Sequence, residues 1–183
     1  MQIRFEKLTK NDVSTVFAWL AEPHVQEFWD NTQGHKVDIL NFAAGRKTPS
    51  SYASGKYVYW IAKAGLEPFA MLMTIKEGPD EDIGELKLAN LSKTGNTYCM
   101  DYMIGNPAYL GKGYGAQTLA DFVDYFRKSI DPEADTFMID PTLDNPRAKR
   151  VYMKAGFEYV DDFLMQGDCS GTGEMHHLLI KRY

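Results

Sequence analysis

The sequence predicts a mixed α/β fold: an α+β sheet of parallel and antiparallel strands covered by helices, in one domain over residues 1–183. Three observations predict it. Strand-like runs outnumber helical ones in the second half of the chain. Strand–helix–strand crossovers fall only in the middle, unlike the steady alternation of a doubly wound sheet. The length suits one domain with a sizeable core, and a content of 44% hydrophobic and 25% charged residues is ordinary for a globular chain.

The elements follow in order. "QIRFEKL" alternates and reads as a first strand. Thr9 can cap a helix with Asp12 in the reciprocal position. Val13, Val16, Phe17 and Leu20 then share one helical face. Glu22-Pro23 breaks that helix. A short helix is expected from Val25 to Trp29, and another near Val37–Ala44. "KYVYWIAKA" and "PFAMLMTIK", joined by "GLE", give a hairpin signal. "EGPDEDIGELKLANLSKTGN" is acidic and turn-rich, a surface loop with room for a short helix. "TYCMDYMIG" reads as a strand. "GAQTLADFVDYFRKSI" is a long helix with Leu119, Phe122, Val123, Phe126 and Ile130 in register. "DTFMID" is the next strand. "NPRAKRVYMKAG" is a helix with Pro146 in its first turn and Gly156 at its stop. "FEYVDDFLM" and "EMHHLLIKRY" close the chain as two strands.

Composition excludes several functions. No apolar run approaches the ~18 residues a membrane span needs. The start, "MQIRFEKLTKND", lacks the apolar stretch of a signal peptide. We therefore expect a cytoplasmic protein, monomer or homodimer, with no membrane partner. Cys99 and Cys169 form no CxxC pair and read as two reduced thiols. The net charge of −5 argues against nucleic acid, which needs a basic face. It is compatible with a cationic small-molecule partner. Adjacent strand residues point to opposite faces, so His176 and His177 cannot clasp one ion, and no metal is expected.

One stretch stands out. "YLGKGYG" sets three glycines at alternate positions around Lys112, and a helical run follows at once. The nucleotide P-loop pattern needs four residues between its glycines and a hydroxyl after the lysine. Here Gly113 follows Lys112. The dinucleotide fingerprint needs a glycine where the chain has Ala116. What remains is strand, glycine-rich turn, helix. Glycines let a backbone approach a ligand closely. The free N–H groups and dipole of a helix start then favour an anion, and Lys112 adds a point charge. A bare turn and helix cap is the rival reading.

Two stretches together sharpen it. "YLGKGYGAQTL", followed after a helix and a strand by "DPTLDNPRAKRVYMKAGF", resembles the GNAT N-acetyltransferase superfamily. The first resembles its acetyl-CoA pyrophosphate loop, Q/R-x-x-G-x-G/A. The second resembles its Asn-x-x-Ala…Tyr-x-x-x-Gly-Phe helix. Leu110 departs from the usual polar residue, which leaves the backbone cradle and removes a side-chain contact. The resemblance implies a GNAT-type acyl-CoA N-acyltransferase fold with acetyl-CoA as co-substrate. It implies that Lys112, Gly113, Tyr114, Gly115 and Ala116 hold the pyrophosphate by main-chain N–H groups, with Gly111 shaping the turn. It implies main-chain pairing of the pantetheine arm with Met103 and Ile104, and a hydrogen bond to it from Asn145. Tyr152 would protonate the leaving thiolate; read from the residues alone it is a core aromatic.

The stretches "EPHVQEFW", "DYMI", "LGKGYG" and "DPTLDNPRAKRVYMKAGF" are similar to aminoglycoside 6'-N-acetyltransferases, and also to siderophore-type acyltransferases. In the aminoglycoside enzymes carboxylates on two central strands bind substrate amines, which implies Asp101 and Asp140. Both are informative unaided. Asp101 interrupts an apolar strand and Asp140 ends one, and a buried carboxylate without a partner is costly. Two such groups at one cleft would hold an ammonium, and one can take its proton directly or through water before the amine attacks the thioester. A solvated strand face for Asp101 and a turn-capping role for Asp140 are the rival readings. Glu22, Trp29 and Asp30 are candidates for the acceptor wall. The expected enzyme is therefore an acetyl-CoA-dependent N-acetyltransferase of a cationic small-molecule amine, an aminoglycoside first. A siderophore-type acyltransferase of a hydroxylamine or lysine derivative is the alternative. A GNAT-fold binding module without catalysis and a protein N-terminal acetylating enzyme rank below both.

Overall fold

The computed structural model describes residues 2–48, 50–165 and 173–183. Cys169, expected as a reduced thiol, lies outside the described residues. The strand order is β1-β2-β3-β4-β5-β7-β6, a mixed seven-stranded sheet. The backbone clusters into two compact units. One runs to Thr74 and takes in Tyr102–Lys112; the other holds Ile75–Asp101 and the chain from Gly113 onward.

In the first unit, β1 (Ile3–Lys7) pairs antiparallel with β2 (Val58–Ala64), which pairs antiparallel with β3 (Glu67–Glu77). The predicted hairpin forms around Gly65, at φ 64°. Tyr59, Ile61, Met71 and Met73 share one face of this sheet and are buried. Helix α1 (Val13–Leu20) covers it with Val16, Trp19 and Leu20, and Val13 and Phe17 pack at its edge. The Thr9–Asp12 contact is present, with the Thr9 amide and hydroxyl both donating to the Asp12 carboxylate at 2.9 and 2.6 Å. The helix nevertheless begins one residue after Asp12, not after Thr9. Helix α2 is a single turn, Pro23–Gln26, with Pro23 supplying its first φ, so it starts earlier than Val25 and stops short of Trp29. Helix α3 (Gln33–Ala43) also starts early, because the Thr32 hydroxyl accepts from the His35 amide at 3.3 Å and caps it.

A fully buried carboxylate ties α3 to β2. Arg46 donates to both oxygens of Asp38, at 2.5 and 3.2 Å, and the Tyr59 hydroxyl donates at 2.8 Å. Burial alone would raise the Asp38 pKa, but the bonds from Arg46, Ser50 and Tyr59 hold it below its ordinary value.

In the second unit, β4 (Asn96–Ile104) contributes its first six residues and pairs parallel with β5 (Ala134–Ile139). β5 pairs antiparallel with β7 (Met175–Arg182), and β7 with β6 (Glu158–Leu164). The parallel pair needs a crossover, supplied by α5 (Tyr114–Ser129). Its face Leu119, Phe122, Val123 and Phe126 is buried as the sequence predicts, and Phe126 meets Tyr98 and Phe137 edge-on, but Ile130, expected in register, is the exposed C-cap because the helix stops at Ser129. Helix α6 (Pro146–Lys154) packs beside α5. On the opposite face Cys99, Met138, Leu178 and Ile180 form a second core. Leu86 of the short α4 (Glu85–Ala89) covers it.

Gly105 shows how close two elements of the first unit come. A Cβ there would lie 2.1 Å from Trp19 Cδ2 and 2.2 Å from Cγ. The Gly105 amide donates to Phe69 at 2.9 Å, so its backbone is pinned beneath the indole. Gly105→Ala must push Trp19 out of its place. Overpacking of this kind costs about 1–3 kcal/mol, and urea unfolding should give a loss at the upper end of that range. A melting point equal to that of the unsubstituted chain would show that Trp19 has room to move.

Candidate active site

The parallel register of β4 and β5 ends with Cys99 opposite Met138. Two residues further along each chain segment come Asp101, still within β4, and Asp140, the first residue after β5. Both carboxylates act on one neighbouring cation, Lys87.

The structure adds a cation that the sequence reading missed. Lys87 of α4 is buried, and its Nζ donates to Asp140 Oδ2 at 3.2 Å. Both side chains are 9% exposed. Nζ also lies over the Phe163 ring, 5.3 Å from its centroid. Burial pulls the Lys87 pKa down, but the Asp140 carboxylate, with Cys99 and Asp101 nearby, outweighs it and holds the ammonium charged. His176, on β7, completes the cluster. Its Nδ1 donates to the Asp140 main-chain oxygen at 2.7 Å and lies 3.6 Å from Asp140 Oδ2. Its Nε2 is buried without a protein partner among the described residues. Asp140 thus meets a lysine and a histidine inside its own unit, rather than only the turn that follows it.

Nothing in the pattern "GELKLAN" marked Lys87. It sits in an acidic, turn-rich tract, and its partner is 53 residues away. The one available signal was a lysine flanked by Leu86 and Leu88 in a segment otherwise rich in Asp, Glu and Gly.

Asn145 and Tyr152 stand on α6. Asn145 caps the helix, its Oδ1 accepting from the Ala148 amide at 3.0 Å. Tyr152 is buried two residues before the end of α6. The start of α5 matches the expected anion seat in form. Gly113 is the N-cap at φ 84°, and Gly111 precedes it at φ 72°. A Cβ at either would meet nothing within 4 Å, so both face open space. The first amides of α5, at Tyr114, Gly115 and Ala116, belong to the turn whose N–H groups have no carbonyl one helical turn back. Lys112 is the last residue of the first unit.

The other candidates belong to the first unit. Met103 buries its side chain in that unit's core. The Ile104 carbonyl accepts from His24 Nε2 at 2.9 Å, which fixes the proton on that nitrogen. Glu22 is half-buried at the start of α2 and makes no capping bond with its side chain. Asp30 Oδ1 accepts from the Thr32 amide at 2.8 Å, while Oδ2 is buried without a protein partner among the described residues. The Trp29 indole nitrogen and His35 Nε2 are in the same condition. His35 was also missed. Its Nδ1 donates to the Asp30 carbonyl at 2.7 Å, and Tyr52 and Tyr59 stack on its ring at 5.0 and 5.8 Å. Burial lowers its pKa, so the ring is neutral near pH 7.

A family model described as an acetyltransferase (GNAT) domain matches residues 9–165. The chain belongs to the GNAT acetyltransferases. It is thereby an acetyl-CoA-dependent N-acetyltransferase, as the resemblance of its two stretches implied. An aminoglycoside N(6')-acetyltransferase type 1 of Klebsiella pneumoniae is 26% identical over 151 residues, covering 82% of this chain and 71% of the relative. An aminoglycoside N(6')-acetyltransferase from Legionella pneumophila has a similar structure, with TM-score 0.75, 23% identity and coverage of 100% of this chain and 94% of that one. AAC(6')-Ib, solved with paromomycin and acetyl-CoA, gives TM-score 0.77 at 21% identity, again over 100% and 94%. At these identities the two structures speak for the fold. No helix among the described residues is long and apolar enough to cross a membrane.

Cys99 sits beside this GNAT site and is easily mistaken for a nucleophile. It is fully enclosed, and burial pushes its thiol well above the usual range although Lys87 opposes this. In a Cys169→Ser background, the native chain should therefore leave Ellman's reagent unreacted at about pH 8 and react only on denaturation. Rapid stoichiometric reaction of the folded protein would mean that the thiol is accessible and ionised.

Proposed function

We propose that residues 1–183 work as one acetyltransferase domain that transfers acetyl from acetyl-CoA to a primary amine of a cationic small molecule, an aminoglycoside carrying a 6'-amine. The observation that carries the acceptor class is the pair Asp101, in β4, and Asp140, directly after β5, whose carboxylates both act on the buried Lys87 ammonium. The name of the curated relative supports the choice of aminoglycoside. No observation favours the siderophore-type alternative.

The residues present fit the donor. Gly113 leaves open space at the start of α5, and the amides from Gly113 to Ala116 suit a pyrophosphate there. Lys112 adds charge and Gly111 shapes the turn. The resemblance assigns the pantetheine arm to the main chain of Met103 and Ile104 and to Asn145, whose Oδ1 is already committed as a helix cap and whose amide nitrogen is the donor. Acetyl-CoA, when bound, supplies the activated thioester and a thiolate leaving group.

The chain's own groups manage the protons. Asp101 attracts the acceptor ammonium and takes its proton, directly or through water, so that a neutral amine attacks. The amine nitrogen forms a bond to the acetyl carbon, and the bond from that carbon to sulfur breaks. Tyr152 gives its hydroxyl proton to the departing sulfur, and the proton that the nitrogen sheds on becoming an amide restores the phenol through water. Glu22, Trp29 and Asp30 are assigned to the acceptor: carboxylates meet amines, and an indole covers a sugar face.

A thiol-release assay tests this reading on a panel of kanamycin-type aminoglycosides, spermidine, lysine derivatives and short peptides. Release with aminoglycosides is expected. Release confined to lysine derivatives would overturn the acceptor class. Calorimetry should give micromolar coenzyme A affinity, about −8 kcal/mol, and its absence would overturn the donor site.

Removing the proposed base separates chemistry from binding. Asp101→Asn should lower kcat by about a hundredfold or more while leaving coenzyme A affinity as it was. Unchanged turnover would make Asp101 a structural residue.

A further inference from the structure

We propose that Lys87 sets acceptor specificity: its ammonium occupies the position against Asp140 that a second substrate ammonium would otherwise take. This rests on the reading that Asp101 and Asp140 face the acceptor. The geometry is specific. Lys87 Nζ is 3.2 Å from Asp140 Oδ2, and both side chains are almost wholly enclosed. The groups around Nζ come from every element packed there: Asp140 after β5, His176 on β7, Phe163 on β6, and Cys99 and Asp101 on β4. The fixed ammonium offsets the charge of Asp140, which without it would be open to another cation.

An internal cation competes with an external one for the same oxygens. The competitor is tethered, so a substrate ammonium must displace it or do without Asp140. Asp101 then serves the single reacting amine. The acceptor this cluster suits has one ammonium at this subsite, with neighbouring hydroxyls in place of a second amine. A polyamine with closely spaced charges gains nothing from Asp140 while Lys87 holds it. Helix α4 has five residues, and Gly84 at φ 81° precedes it. The lysine is thus delivered by a short element inserted between β3 and β4, not by the sheet itself.

The test is calorimetric titration of the coenzyme A-saturated full chain with kanamycin, and with 6-amino-6-deoxyglucose as a monoamine. The proteins are the unsubstituted chain, Lys87→Met, and Lys87→Met combined with Asp140→Asn. Lys87→Met should bind kanamycin about tenfold more tightly, with no such gain for the monoamine. The gain should vanish in the double variant. Kanamycin binding to Lys87→Met that is unimproved or undetectable overturns the proposal, as does a gain that survives Asp140→Asn. Lys87→Gln keeps an N–H donor for Asp140 without the charge and gives the same comparison if the methionine variant does not fold. Binding, not turnover, is the readout. A chain that releases no thiol with any amine therefore overturns the proposed function, while the titrations still decide the role of Lys87.

Discussion

The parallel pairing of β4 with β5 is the constraint on which the second unit is built. Parallel neighbours cannot be joined by a tight turn, so a crossover must lie between them. The crossover is α5, and its first turn is the glycine-rich stretch that opens the helix. The proposed anion seat and the proposed acceptor carboxylates are therefore products of one strand pair. The same register sorts the side chains. Tyr98 and Phe137 go to the face of Phe126, and Cys99 and Met138 go to the face of α4. A slip of one residue on β4 would turn Asp101 toward the aromatic face and separate it from Asp140.

Two buried carboxylates show how partner number decides what an acid can do. Asp38 has both oxygens held by Arg46 and a third bond from Tyr59. Its charge is fully committed, and its work is to fix α3 against β2. Asp140 has one lysine at hydrogen-bond distance and one histidine slightly beyond it. Breaking a buried pair by removing one partner typically costs several kcal/mol, because the other charge stays behind unpaired. A substrate ammonium that displaced Lys87 would leave the enclosed Lys87 charge unpaired in its turn, so the tethered lysine resists exchange. This is why an internal lysine can act as a selector rather than merely as a strut.

Much of this fold was legible in the sequence because its signals are local. The alternation of "QIRFEKL", the spacing of Leu119, Phe122, Val123 and Phe126, and Pro146 and Gly156 at the two ends of α6 each act over a few residues. The glycine-rich turn was separable from two other phosphate loops by counting alone. Asp101 and Asp140 stood out because each breaks or ends an apolar strand. What was not legible depends on distant partners. Lys87 looks solvated until Asp140 is placed beside it. Helix α3 spreads its apolar residues around its axis, with Val37 and Leu40 exposed and Ile39 buried, and its start is set by the Thr32 cap rather than by a hydrophobic face. Nothing in the sequence marks Trp19, and only the folded chain lays it on the backbone of Gly105.

The first unit carries its own chemical demand. Trp29 Nε1, Asp30 Oδ2 and His35 Nε2 are all buried without a protein partner among the described residues. Each such atom costs about 1–3 kcal/mol if nothing meets it, so water or a ligand must. Their characters differ. The indole can only donate, and the carboxylate oxygen can only accept. His35 donates through Nδ1 to the Asp30 carbonyl and is held neutral by burial, so its Nε2 is an acceptor. One donor and two acceptors call for groups that both give and take hydrogen bonds. Hydroxyls do this and ammonium groups do only half of it. The aromatic rings of Tyr52 and Tyr59 that stack on His35 keep its acceptor fixed in direction. An acceptor rich in hydroxyls, with few amines, satisfies this demand better than a bare polyamine.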